Sequence, residues 1–397
     1  MKLGVCLLVA AAAAQCADFR AGAARIDVTP AAGSALPMSG YAARTQGFTA
    51  IDDRLYARAI VFDGGSGPAA IVAADVVAFR EAACKRMAAR IEAATGIKPE
   101  RVLIAAVHTH AAPQNGVYEG EPDAKQAAWI ATLEDSVVAA VKQAQASMQP
   151  ARVGYGTGRA NVNVNRRARM ADGSWNLGIN PDGPSDKTVA VIKFETPAGE
   201  PIAIFSNYAV HGVVMGQENL KISGDLPGAA ARFVEEQFGG KVVAPWTSGA
   251  AGDQNAIYGP GNEFDKVAAL GRILGEEIVR VAKSIETKPA ASVQAAQTVV
   301  TCPGKTDAPV SIRLSLLTIG DVALAGVSGE VLTPIYWHLK KTAGPRVIMV
   351  THANGASGYI PDDSAYDQVS YEIRTTHLKR GCAENAIVNG FAGLLKQ

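Results

Sequence analysis

Charge is scarce in this sequence. Asp, Glu, Lys and Arg make up 19% of its 397 residues, and 38 basic residues against 37 acidic ones leave a net charge of +1. No run of basic side chains could follow a phosphate backbone, which sets nucleic acid aside as a partner. Long apolar runs are nearly absent too. The one at residues 3–14 is too short to cross a bilayer, which takes ~20 residues, and no later segment is long enough. Internal repeats, low-complexity tracts, coiled-coil heptads and Pro/Ser-rich linkers are all missing. Length alone allows two or three domains, but without a linker the expectation is one domain over residues 18–397. Hydrophobic residues at 48% supply ample core.

The N-terminus reads as an export leader over residues 1–17. Met1-Lys2 is a short positive start, a brief apolar run follows, and Ala12-Ala13-Ala14 offers a small-residue cleavage site. The expected location is periplasmic or secreted. Cys16 raises a lipoprotein reading, but Gln15 stands where lipoboxes carry a small residue, so plain secretion is favoured. Cleavage removes Cys6, and Cys16 as well if it falls after residue 17. An oxidising compartment permits a bridge among the rest. Cys302 and Cys382 both lie beside turn formers (Pro303-Gly304 and Gly381) and are the preferred pair. Cys84 sits in an amphipathic helical pattern and reads as a buried thiol.

Periodicity divides the mature chain. Residues 19–27 form a strand, and residues 55–62 and 69–77 are apolar, β-branched strands split by a Gly-rich turn. A helical period over 80–94 leads to the buried run 102–107, which makes a βαβ unit. Ala124–Ala146 is a long helix. Residues 158–187 are polar, without period, and read as a long functional loop. Strands follow at 188–195 and 201–208, helices at 225–238 and 263–284, and strands within 292–326. A short strand at 347–349 opens into a loop over 352–370. The fold class is α/β, a mixed β-sheet core flanked by helices.

Two of the six histidines sit in His108-Thr109-His110. At a strand end, residues i and i+2 point to one side, so both imidazoles can face a pocket where a buried strand exits, the usual ligand position of open α/β sheets. The bare spacing fits a metal and an ordinary histidine pair equally well. His211 ends another apolar run, although a single histidine there is more often satisfied within the core. Zinc combines His nitrogens with a carboxylate and leaves a place for water. Glu330 follows the apolar run 322–327. If buried it must be paired or metal-bound; otherwise it is a helix N-terminal charge with Ser328 as cap. Arg166, beside Arg167, could hold a developing oxyanion, or lie on the surface. The small-residue stretch 248–255, with Ser248 and Asp253, lets backbone approach a ligand or serves as a tight connection. Tyr359, Tyr366 and Tyr371 could donate a proton or, ionised, ligate a metal; spacing decides neither role.

An ordered series of motifs resembles the catalytic domain of the neutral/alkaline non-lysosomal ceramidases over residues 20–395. It runs through Ala21-Gly22-Ala23-Ala24-Arg25-Ile26-Asp27-Val28-Thr29-Pro30, Pro37-Met38-Ser39-Gly40-Tyr41, Leu55-Tyr56-Ala57-Arg58-Ala59, His108-Thr109-His110, Asn163-Val164-Asn165-Arg166, Asn207-Tyr208-Ala209-Val210-His211 and Ile222-Ser223-Gly224-Asp225. The resemblance implies zinc held by His108, His211, Glu330 and Tyr359. It implies that His110, Arg166 and Tyr371 surround the scissile amide; Tyr359 and Tyr371 keep the family's relative spacing. Two departures stand out. The family's active-site serine, in a Gly-Asp/Asn-x-Ser-Pro-Asn loop, has no counterpart in Gly252-Asp253-Gln254-Asn255, where Asp253 is the candidate for part of its role. The β-sandwich that follows the catalytic domain in full-length enzymes is also missing from this sequence.

The expected function is that of an exported, zinc-dependent amidohydrolase. It would cleave an N-acyl amide, a ceramide-like lipid, with a zinc-activated water, in peripheral contact with membrane lipid. Two alternatives stay open: a zinc hydrolase for a non-lipid amide or ester, and a non-catalytic metal- or ligand-binding relative.

Overall fold

The computed structural model describes residues 19–116, 121–289 and 292–396; the leader expected over residues 1–17 lies outside them. Three sheets in succession share one wiring. In the first, Arg20–Asp27 pairs antiparallel with Tyr56–Asp63, which forms a hairpin with Ala69–Ala74. Helix α1 (Glu81–Thr95) then returns the chain to lay Val102–Ala106 parallel to Ala69–Ala74, and α2 (Ala124–Ala146) packs on α1. In the second, Arg152–Arg159, Thr188–Glu195 and Pro201–Tyr208 are antiparallel neighbours, α3 (Asp225–Gln237) leads to the parallel strand Trp246–Ser248, and α4 (Phe264–Ser284) packs on α3. In the third, Val293–Cys302, Val310–Ile319 and Val322–Val327 are followed by α5 (Thr333–Ala343) and the parallel strand Val347–Val350. The short α6 (Tyr371–Thr375) comes next, and α7 (Ala383–Leu394) packs on α5.

Side-chain alternation explains how the sheets assemble. Successive residues of a strand face opposite sides. Ile60, Phe62 and Leu103 of the first sheet, Ile192, Phe194 and Phe205 of the second, and Ile319, Leu324 and Ile348 of the third share one central core. Their neighbours Val61, Val72 and Ile104 face α1 and α2; Val191 and Ile204 face α3 and α4; Ala325 and Met349 face α5 and α7. Strands buried on both faces read as continuous apolar runs, which is how they appear in the sequence. The α/β class with mixed sheets holds; the core is three such sheets rather than one.

Other features test the sequence reading further. Residues 158–187 are not an irregular loop: Asn163–Arg169 and Trp175–Asn180 pair as a hairpin, joined by Gln254–Ala256. Their polar side chains are spent on the site and on solvent, so no hydrophobic period marks them. Ser328 caps no helix; its hydroxyl accepts from the Arg313 amide. Cys302 and Cys382 form the expected disulfide, tying a strand end to the start of α7, and Cys84 is a buried free thiol. Arg58, 1% exposed, lies between Asp75 at 3.0 Å and Glu235 of α3 at 2.9 Å, an ionic bolt between the first sheet and the second unit's helix.

Candidate active site

The three sheets bring side chains to one place, beyond the C-terminal ends of their parallel strands. The chain leaves Val102–Ala106 and turns at His108, whose backbone is left-handed at φ 66°. That conformation costs a non-glycine residue ~1–3 kcal/mol. A turn, not the strand geometry expected from the sequence, therefore brings His108 and His110 together, with their Nε2 atoms 3.2 Å apart. The His110 amide donates to Gly212 O at 3.0 Å. This joins the first unit to the second where His211 leaves Pro201–Tyr208. Glu330 and Val331 form a two-residue strand against Tyr359 and Ile360 in the third unit.

Each ring is pinned on its far side. His108 Nδ1 donates to Val77 O at 2.6 Å, and His211 Nδ1 to Ala251 O at 2.7 Å. Both Nε2 atoms then point inward at Glu330 Oε2, at 3.5 Å from His108 and 3.1 Å from His211. Two ligands ~2.0–2.1 Å from a tetrahedral metal lie ~3.3 Å from each other, so these separations match a metal's first coordination sphere. The charges agree. Burial, then Arg166, lowers the His211 pKa to about 4. Burial pushes the Glu330 carboxyl up, but His108 and His211 outweigh it and hold it well below the ordinary range. Two ring nitrogens, each fixed from behind, and a carboxylate thus converge on one point, with the Arg166 guanidinium beside His211. A cation resolves that arrangement, and the donors fit zinc.

The remaining expected residues divide. Arg166, 4% exposed, places Nη1 3.2 Å from His211 Nε2 and donates from Nη2 to the Tyr359 hydroxyl at 3.0 Å. Tyr359 and Tyr371 meet edge to face at 5.7 Å, and both line a cavity of about 610 Å³ with His108, His110 and Glu330. Burial raises the Tyr359 pKa well above 10, with Arg166 opposing, so without a cation it is a phenol. Burial and the neighbouring His108 and His211 hold His110 far below its usual value. Gly40, at φ 96°, packs on its ring, where a β-carbon would collide. Asp253 is not brought to this cavity. Its Oδ1 accepts from Thr333 N, Thr333 Oγ1 and Gln254 Nε2, and its Oδ2 from Asn165 Nδ2.

The matched family model, neutral/alkaline non-lysosomal ceramidase, N-terminal, covers residues 19–260. The chain belongs to this family. It is 30% identical over 288 residues to the neutral ceramidase of Pseudomonas aeruginosa, covering 67% of this chain and 42% of that protein. Neutral ceramidase A of Dictyostelium discoideum is 30% identical over 62% of this chain and 35% of its own length. The chain thus spans about two fifths of these relatives. The crystal structure of the Pseudomonas aeruginosa neutral ceramidase superposes with a TM-score of 0.80 at 19% identity, covering 94% of this chain and 73% of that one. At that coverage the shared fold extends well past residue 260.

The sequence reading missed two residues of this ceramidase-family site. His352, φ 53°, lies two residues beyond Val347–Val350, as His108 lies two beyond Val102–Ala106. Its ring stacks on that of His108 at 3.9 Å, and its ligand atom lies within 4.8 Å of those of His108 and Glu330. A histidine just past an apolar run was the signal, the same one that marked His211. Glu372, fully buried, accepts from Arg166 Nε at 2.7 Å; nothing local in the sequence marks it.

Proposed function

We propose that the protein is an exported, zinc-dependent hydrolase that cleaves the amide bond of a ceramide-like N-acyl lipid. The observation that carries this is the convergence of His108 Nε2 and His211 Nε2 on Glu330 Oε2, each ring fixed by a carbonyl behind it. Tyr359 would be the fourth protein ligand. Bound zinc supplies a water with pKa near ~7 and an electrophile for the amide carbonyl. The chain's own groups do the rest. Arg166 and Tyr371 donate to the carbonyl oxygen as it gains charge, as donors of an oxyanion hole do. His110, held neutral, accepts the proton released when water adds to the carbon and passes it to the departing amine nitrogen. The C–N bond breaks, leaving a fatty acid and an amine.

Residues 18–397 act as one catalytic domain in this reading, supported by a site that draws on all three sheets. The leader motif and the Cys302–Cys382 bridge support export. A lipid substrate, and peripheral contact with membrane lipid, are supported by exposed apolar side chains on elements beside the cavity. Val369 is 56% exposed and Tyr371 36%, and Leu177 and Ile179 lie on the hairpin that Arg374 ties to Val369.

A second reading, a non-catalytic metal- or ligand-binding relative, is favoured by the loop at Asp253, whose oxygens are all taken by protein donors and which has no serine beside it. The test is zinc analysis of the purified protein, with release of fatty acid from labelled ceramide and from a non-lipid N-acyl amide. The expected result is zinc near one equivalent and ceramide turnover that a chelator abolishes and zinc restores. Zinc without turnover of any amide would establish the binder; turnover of the polar amide alone would move the substrate away from lipids.

A further inference from the structure

We infer that Glu372 is a positioning residue that fixes the Arg166 guanidinium and neutralises it beside the cation site. The inference rests on the zinc reading above. Arg166 stands at a β-bulge: the register of Asn163–Arg169 against Trp175–Asn180 shifts between Asn165 and Arg167. A bulge re-aims side chains that would otherwise alternate, and here Arg166 and Arg167 both turn toward α6. Glu372 divides its oxygens between them. Oε1 accepts from Arg166 Nε at 2.7 Å, while Oε2 accepts from Ser370 Oγ at 2.7 Å and lies 3.7 Å from Arg167 Nε. Arg167 Nε in turn donates to Ser370 Oγ at 3.0 Å.

The consequence appears at the far end of the guanidinium. With Nε anchored by Glu372, Nη1 faces His211 Nε2 and donates to Asn255 Oδ1 at 3.3 Å, and Nη2 faces the Tyr359 hydroxyl. His211 and Tyr359 belong to the candidate zinc site. A guanidinium this close to a dication, both out of water, is repelled strongly because screening is weak there. Glu330 compensates the metal; among the described residues, Glu372 is the carboxylate hydrogen-bonded to the guanidinium. Without it, Arg166 would be a buried charge left with the side chains of His211, Asn255 and Tyr359 as partners, and adverse to a metal beside it. Glu372 acts through Arg166.

A double-mutant cycle tests this with Glu372→Gln, Arg166→Met and the pair combined. The readouts are zinc affinity by chelator competition, kcat and KM on a ceramide substrate, and melting temperature. Loss of an outer partner of a metal site typically costs ~10–100-fold in affinity or activity. Glu372→Gln should weaken zinc binding and lower kcat by about that factor, with KM within ~3-fold. In the Arg166→Met background the same change should alter either quantity by less than ~3-fold, because both charges are then gone. The double variant also melts closer to wild type than Glu372→Gln alone, which keeps the test readable if the single variant is unstable. Equal losses in both backgrounds, or no loss in either, would overturn the inference. A wild-type protein that binds zinc and cleaves no amide would remove the hydrolase reading alone, and the zinc arm of the cycle would still decide this one.

Discussion

Asp75 and Glu330 are buried carboxylates at corresponding points of two sheets, just past the third strand of the first unit and of the third. Asp75 accepts from Tyr56 N and from Arg58 Nη1, and Arg58 is held on its other side by Glu235. Every partner brings a proton, and the cluster is complete. Glu330 faces His108 and His211, whose protons are committed to Val77 and Ala251. Its partners are ring nitrogens already fixed from behind by backbone carbonyls, so the cluster leaves three donor atoms facing one point. Burial and wiring are alike; the direction in which neighbouring protons point separates a bolt from a site.

Three substitutions press on that contrast. Glu330→Gln removes the charge that balances a cation. Hydrolysis of labelled ceramide should fall by ~10³–10⁴-fold, equivalent to ~4–5.5 kcal/mol of barrier, with zinc content falling alongside and circular dichroism unchanged. Retained zinc and activity would erase the distinction drawn between the two carboxylates. Arg58→Met strands Asp75 as a buried charge and leaves Glu235 paired with Arg25, and should cost ~3–5 kcal/mol of stability in urea denaturation, while the folded fraction keeps its zinc. A loss of zinc at unchanged stability would mean that the bolt belongs to the site. The third concerns Asp253. Burial raises its pKa to about 6, above its unfolded value. The native state therefore takes up a proton more readily than the unfolded chain. The contribution is full below about pH 4 and is lost as pH rises through 6. Asp253→Asn should remove it, so the stability difference between wild type and variant should shift by ~1–3 kcal/mol between pH 4 and 7. A difference that stays flat across that range would mean that Asp253 titrates normally.

Much of this was legible in the sequence, for physical reasons that can be named. The buried strands were visible because burial on two faces leaves apolar runs, as at Val102–Ala106 and in the first five residues of Pro201–Tyr208. Helices α1 to α4 were visible because their period survives on an exposed side. The hairpin of Asn163–Arg169 and Trp175–Asn180 was not, because its polar residues serve the site rather than a core. The repeated wiring of the three units leaves no repeat in the sequence, since alternation constrains polarity and leaves residue identity free. His108 and His110 were paired on strand geometry, and the structure pairs them by a left-handed turn instead. Glu372 depends on a bulge two hundred residues away in the chain, a relation that no local pattern carries.

The candidate ligands lie far apart along the chain. His108, His211 and Glu330 each come from a different sheet and are separated by about a hundred residues of intervening chain. An ion held by all three closes two long loops at once, and the entropy recovered by such a closure depends only weakly on loop length. It therefore acts as a clasp at the seam of the three sheets, adding to stability in proportion to the logarithm of its concentration over its dissociation constant. Chelation should then loosen the contacts between sheets before it disturbs the sheets themselves.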